Sequence, residues 1–441
     1  MENMEAKLKK ELGLTVAMSI VIGSVIGSGI FMKPGKVIEA AGDSNMALLA
    51  WILGGIMTLA SGLTIAELAA QIPRTGGLYA YLEEVYGETW AYLCGWVQSF
   101  IYGPAVIGAL GLYFGSLVTH FFGMPESLKL WIAFITVCFL AVVNSLGVKY
   151  GGYIQTAATA GKMIPITLIA VCGLLWGTGT IFDMPSGLTQ KTGMGAAILA
   201  TLWAYDGWIL VGFVAGEMKN PAKVLPKAIV VGLTVVMVAY LSVNMALLNV
   251  LPAADIVKLG ANAAGTAAGI LFGEMGGKLI SVGIMVSIFG TLNAKILAFP
   301  RVPFAMAERK QLPAYRFWMA LHPQYATPIH ATILTVILSF LMIFVGDPDR
   351  LSDIAIFSIY IFFVQAFIAV FILRKRNPGM ERPYSVPGYP IVPWIAIIGS
   401  VFILITTVID NPLDTFYAVG LTVAGLPVYW HLAQKNKDSK K

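Results

Sequence analysis

The chain has 441 residues, of which 58% are hydrophobic and only 12% charged, about half the charged share of soluble domains, roughly 25%. That balance excludes an ordinary water-soluble enzyme. The net charge of +6 must be explained by where the cations lie. Windows of nearly uncharged residues long enough for a bilayer crossing, roughly 20 residues of helix, recur from end to end. Ten-residue alternating strands are absent from the sequence, so a closed barrel is excluded and helices must satisfy the backbone in lipid. The expected fold class is an all-α membrane protein with twelve transmembrane helices.

A short basic tail, 1–11, precedes the first span at 12–38. That span carries "VIGSVIGSGIF", with glycines at 23, 27 and 29 and serines at 24 and 28. Each glycine costs a helix interior about 1 kcal/mol relative to alanine. Spans two to five follow at 47–71, 89–120, 128–147 and 152–175. Glu67 falls near one end of span two, where a structural or gating hydrogen bond is expected of it. Tyr102 stands before the Gly103-Pro104 weak point of span three, and Lys162 lies well inside span five. The sixth span, 194–216, contains "TLWAYDGWILVG", with Asp206-Gly207 at its centre. Spans seven and eight follow at 227–251 and 276–303, the latter with Ser287, Gly290, Asn293 and Lys295. The last four are at 329–346, 352–373, 391–409 and 414–433, before a second basic tail, 434–441. The connections at 252–275 and 304–328 contain helix-compatible stretches; "AMAERKQLPAYRFW" in the second is basic and aromatic, as an interfacial helix would be.

Lysine and arginine placement sets an orientation. With the N terminus inside, 20 fall on the cytoplasmic side and 7 outside, while Lys162 and Lys295 sit within spans. This is the positive-inside pattern, with both termini cytoplasmic in a cell membrane. The basic balance therefore reports cytoplasmic loops, and nucleic acid is not an expected partner. No cleavable leader is read at the first span, whose small residues are spread out rather than set in a cleavage pattern. Cys94, Cys138 and Cys172 lie singly in different spans and read as small apolar fillers. Four scattered histidines offer no ligand spacing, so no metal and no cofactor are expected.

The glycine cluster in span one invites a dinucleotide reading. It fails, because that fingerprint needs a strand, a helix start and other spacing in a soluble unit. Close helix packing through Gly23 and Gly27 is the stronger plain alternative. Only spans one and six, however, combine strong hydrophobicity with a mid-span cluster of helix-weakening residues. Paired interruptions in corresponding positions point to a transporter's binding site. They lie five spans apart, an odd number, so the second copy enters the membrane from the opposite side. The expected units are an inverted repeat, 12–175 and 194–374, with 391–433 as an appendix.

An unwound mid-membrane helix presents N–H groups at the start of its second half and carbonyls at the end of its first. Such a pair of ends suits an α-amino acid. Its carboxylate is expected on the N–H groups near Gly27, Ser28 and Gly29, helped by the Ser28 hydroxyl, with Val25 and Ile26 in the pocket wall and Ser24 behind them. Its ammonium is expected on Trp203, Ala204, Tyr205 and Asp206. Asp206 itself has competing readings: a cap for the second half-helix, a carboxylate facing the cavity that accepts a cationic side chain or hydroxyl, or a proton carrier. A lysine at the depth of Lys162 is a functional candidate by default. It is read as a donor to the carbonyl end of broken helix one, as a group that loses and regains a proton, or as a structural pair. Tyr102 is a candidate gate, and Lys295 a snorkelling or gate-pairing residue.

"VIGSVIGSGIFMKPG", "IPRTGGLYAYLEEVYG", "LWAYDGW", "GEMKNP" and "FPRVPFAMAERKQLP" resemble the amino acid–polyamine–organocation superfamily. Within it they are similar to the L-amino acid transporter branch, and most to bacterial sodium-independent exchangers of serine and threonine, or of alanine, serine and cysteine. The resemblance covers roughly 10–435. It implies a LeuT-like five-plus-five inverted-repeat fold with helices one and six broken, substrate held by those breaks, and exchange by alternating access. It also implies that Lys162 takes the place of a sodium ion, and that Ser287 and Asn293 face its region. The family often has a small residue at Asp206. Small neutral amino acids are the expected substrates, because Trp203, Tyr205 and Trp208 crowd the second break. Animal members of this branch are often paired with a single-span glycoprotein through a disulfide, but no cysteine here lies in an outer loop, so no obligatory partner subunit is expected. Proton-coupled uptake and exchange of cationic amino acids through Asp206 are the alternatives. No catalytic motif supports an enzyme.

Overall fold

The computed structural model describes residues 13–72, 76–182, 193–325, 327–345 and 347–438. The first span is two pieces in line: α1 (Leu14–Val25) and α2 (Gly29–Met32), continued after Lys33 by α3 (Pro34–Ala41). Next comes α4 (Ser44–Gln71), started by Asp43, whose carboxylate accepts from the Met46 N–H at 2.8 Å, a regular N-cap. A short α5 (Leu78–Tyr86) leads to α6 (Glu88–Val97). A widened turn at Gln98–Tyr102 joins α6 to α7 (Gly103–Phe121) as one long span. The half closes with α8 (Lys129–Ser145) and α9 (Val148–Trp176).

The second half opens with α10 (Met194–Ala204), which stops at mid-span and passes into a 3₁₀ segment, Trp208–Glu217. It continues with α11 (Pro221–Val250), α12 (Ala253–Leu259), α13 (Ala263–Ala298), α14 (Arg301–Glu308), α15 (Tyr315–Trp318), α16 (Ile329–Val345) and α17 (Pro348–Arg376). The chain ends in α18 (Ile391–Asp410), α19 (Pro412–Val423) and α20 (Gly425–Asp438). Among the described residues, eleven helical stretches are long and apolar enough to cross a membrane, and the shorter Ile329–Phe344 supplies the twelfth. Within α13, Gly273 is non-helical at φ 74° and separates two helices. The part after it is the eighth span, close to the expected 276–303, and the part before it lies in the helix-compatible connection 252–275.

The interrupted helices are central. α1 packs on α9, α11, α13 and the 3₁₀ segment, while α10 packs on α3, α4 and α18. Helix packing in lipid rests on close contact rather than on expulsion of water. The outer apolar faces, such as Ile398 and Ile405 of α18 and Leu413 and Phe416 of α19, remain exposed and meet hydrocarbon.

Candidate functional site at the paired helix breaks

α1 stops because Ile26 is extended, at φ −66° and ψ 103°, ahead of Gly27, Ser28 and Gly29, residues that gain little from staying helical. A helix end leaves carbonyls without intrahelical partners. Lys162, fully buried, supplies the donors: its Nζ lies 2.6 Å from the Gly23 carbonyl and 2.6 Å from the Ile26 carbonyl. Its third donor direction meets Thr291 Oγ1 at 3.4 Å. That hydroxyl in turn lies 3.1 Å from the Ile26 carbonyl and 3.0 Å from that of Ser287. An ammonium has three donors and no acceptor; two are taken by α1 carbonyls and the third points at Thr291 of α13. Past it, the N–H groups of Ser28 and Gly29 donate to no protein acceptor among the described residues.

In the second break, Gly207 holds φ +114°, a backbone state that glycine enters without steric cost. A Cβ there would also stand 2.6 Å from the Ser24 carbonyl. Ser24 Oγ reaches the Gly207 carbonyl at 3.0 Å, so the two breaks are hydrogen-bonded to each other. Tyr240, from the middle of α11, joins them a second time. Its hydroxyl lies 3.0 Å from the Val25 carbonyl and 2.9 Å from that of Ala204.

Asp206 is not a helix cap. Its buried carboxylate accepts from Tyr102 Oη at 2.6 Å and from Lys295 Nζ at 2.8 Å. A buried pair of this kind is stable only while both partners remain. Lys295 therefore does not snorkel; it pairs with the second break.

Between the breaks lies a cavity of about 20 Å³, close to the room one water needs. Among the expected residues, Ser24, Val25, Gly27, Ser28, Gly29, Trp203, Asp206 and Lys295 line it. Ile26, Ala204 and Tyr205 do not. The Ile26 carbonyl is taken by Lys162, and Tyr205 turns away to place its hydroxyl 3.3 Å from the Trp51 carbonyl. The Ala204 carbonyl is held by Tyr240, away from the cavity wall. The breaks meet at Gly29, where a Cβ would stand 2.3 Å from the Ala204 Cα. Gly29→Ala is accordingly expected to hold the breaks apart and to cut transport at least tenfold in proteoliposomes with insertion unchanged; normal rates would show that this contact is not required.

Other expected residues fall farther out. Asn293 serves the α8–α9 contact, its Nδ2 donating to the Gly151 carbonyl at 3.0 Å while its Oδ1 accepts from Asn144 at 2.9 Å. Ser287 is buried one turn before Thr291, to which its carbonyl is bonded. Glu67 accepts from Arg374 at 2.9 and 2.6 Å and from the Val386 N–H at 2.7 Å, fastening α4 to α17 and the segment after it. At the opposite end of α17, buried Lys33 pairs with Asp349 and donates to Ser352 Oγ at 2.8 Å. Tyr113 Oη lies 2.6 Å from the same Asp349 carboxylate. The Lys33 ammonium also lies 5.9 Å from the Trp203 ring centroid, which connects this cluster to the cavity wall.

Thr291, Tyr240 and the Lys33–Asp349 pair escaped the sequence reading. Thr291 stands four residues before Lys295 and four after Ser287, on one helix face. Tyr240 is the hydroxyl-bearing aromatic in an aliphatic run, "VVMVAYLSVN". Both signals were available, but a partner on another helix gives them meaning.

Paired broken helices around a small polar cavity, in an all-helical membrane protein, define a secondary transporter. The chain belongs to the amino acid permease family, whose model matches residues 12–430, and it carries the LeuT-like five-plus-five fold with two helices appended. It is 56% identical over 428 residues to the serine/threonine exchanger SteT of Bacillus subtilis (strain 168), covering 97% of this chain and 98% of that one. It is 30% identical to the human cystine/glutamate transporter, over 97% of this chain and 86% of the relative. It is also 30% identical to the human large neutral amino acids transporter small subunit 2, over 96% and 80% respectively. It is a multi-pass membrane transporter and not an enzyme.

Proposed function

We propose that this chain is a sodium-independent exchanger of small neutral L-amino acids, serine and threonine first, working by alternating access. The observation that carries the reading is the pair of facing breaks, with the Ser28 and Gly29 N–H groups on one side of the cavity and the end of α10 on the other. The substrate carboxylate meets those N–H groups. Its ammonium meets the carbonyls near Trp203 and Ala204, for which Tyr240 must yield the Ala204 carbonyl. A cavity of about 20 Å³ must widen to admit even alanine, so the breaks separate as substrate enters.

Sodium independence is supported by the Lys162 ammonium, which holds the two α1 carbonyls that a bound cation would otherwise take. Exchange is supported by the 56% identity to a serine/threonine exchanger. Cationic substrates are disfavoured, because Lys295 neutralises Asp206 at the cavity wall. The repeat units run 12–175 and 194–374, followed by 391–433. Both tails, 1–11 and 434–441, are cytoplasmic in a cell membrane, on the strength of the lysine and arginine asymmetry. Lys33–Asp349 is then the outer closure and Glu67–Arg374 the inner one, parting in turn. The chain works without a partner subunit, in keeping with its full-length match to SteT.

The test is labelled serine uptake into proteoliposomes with and without internal amino acid, crossed with a pH gradient. Uptake that requires internal serine and ignores pH is expected. Uptake into empty vesicles driven by a proton gradient would replace exchange with proton coupling. Competition by unlabelled amino acids should rank serine, threonine and alanine above lysine and leucine.

A further inference from the structure

The geometry points to a bound anionic phospholipid in a groove between α8 and α16, remote from the helix breaks. The groove has a volume of about 380 Å³. Its α8 wall is Cys138, Ala141 and Val142, and its α16 wall is Ile333, Val336 and Ile337. It continues an exposed apolar strip that includes Ile135 and Phe139 on α8 and Leu341 on α16. In a membrane-spanning chain such a strip meets hydrocarbon, so an acyl chain is the apolar occupant at hand.

Only one end of the groove is polar. There Ser145, Thr332, His322 and Tyr325 line it beside Leu146 and Ile329. The connecting segment is fastened over this end by Thr327 Oγ1, which donates to the Ser145 carbonyl at 2.7 Å. His322 Nδ1 accepts from the N–H groups of Gln324 and Tyr325 at 3.2 and 3.3 Å. Its other ring nitrogen, Nε2, is therefore the one that carries hydrogen, a donor suited to phosphate. The segment 301–328 holds Arg301, Arg309, Lys310 and Arg316 against one acid, Glu308. Of these cations Lys310 and Arg316 are exposed, and Phe317, beside Arg316, lies against His330 of α16 at 3.9 Å between ring centroids. An apolar slot in the hydrocarbon, with the basic segment 301–328 reaching its mouth through His322 and Tyr325, is the complement of one acyl chain ending in an anionic headgroup. The lipid belongs to the leaflet that contains segment 301–328, whichever face of the membrane that is.

Native mass spectrometry of the full chain with phosphatidylglycerol or phosphatidylcholine of identical acyl chains tests this. The wild type is expected to retain phosphatidylglycerol at least fivefold more than phosphatidylcholine. Ala141→Phe, and independently Val336→Phe from the facing wall, should remove that retained lipid while serine exchange persists as the sign of a folded protein. Arg316→Gln combined with His322→Gln should abolish the preference between headgroups. Equal retention of the two lipids by the wild type would overturn the headgroup assignment. Undiminished binding in both groove-filling variants would place the lipid elsewhere, and a shift to dimer mass without lipid would give the groove to a second copy of the chain.

Discussion

Replacing Lys162 by alanine is expected to lower serine exchange on the order of 100-fold while the protein still inserts and purifies as one species. The substitution removes two short charge-assisted hydrogen bonds, to the Gly23 and Ile26 carbonyls. Thr291 Oγ1, a single hydroxyl, is left beside the Ile26 carbonyl. Bonds to charged groups contribute about 1.5–3 kcal/mol each, so losing two costs at least about 3 kcal/mol, a factor of roughly 100. The penalty falls on transport because the carbonyls belong to the unwound end of α1, whose shape sets the Ser28 and Gly29 donors. Lys162→Met keeps most of the volume and should fail equally, which separates charge from packing. Initial rates of labelled serine exchange decide it; wild-type rates in both variants would remove Lys162 from the mechanism.

The second large effect is expected at Asp206 and Lys295. Removing one partner of a buried ion pair strands the other, at about 3–5 kcal/mol. Asp206→Asn alone leaves the Lys295 ammonium beside Tyr102 and Phe299 with no carboxylate partner at this break. Lys295→Met alone leaves a carboxylate held by the Tyr102 hydroxyl. Both single variants should lose thermal stability in detergent, and Asp206→Asn with Lys295→Met should recover most of it. The two singles should also diverge in substrate range. With Lys295 gone, Asp206 is a bare negative charge on the cavity wall, so lysine should begin to compete for serine exchange. With both gone, that competition should vanish. Additive losses in the double variant would show that the pair is not energetically coupled.

Legibility in the sequence followed a physical divide. The twelve spans were readable because bilayer thickness imposes a length and a hydropathy on each. The breaks were readable because Gly27-Ser28-Gly29 and Asp206-Gly207 weaken a helix wherever they stand. Lys162 was readable because a lysine at that depth needs a reason. The local chain also accounts for the separate helix ahead of the eighth span, since helix-forming residues precede Gly273, a single residue free to adopt positive φ.

What the sequence by itself determined is therefore the membrane class, the order of spans and the two weak points, all of which depend on residues near one another in the chain. The tertiary structure alone decided which groups meet across helices. It turned Asp206 from a cap into the partner of Lys295 and Tyr102, drew Ile26, Ala204 and Tyr205 out of the cavity wall, and made Tyr240 the bridge between breaks. Such pairings join residues 36 to 215 positions apart. A hydropathy pattern fixes that a helix crosses the membrane; which way each polar side chain turns is fixed only when its neighbours close around it.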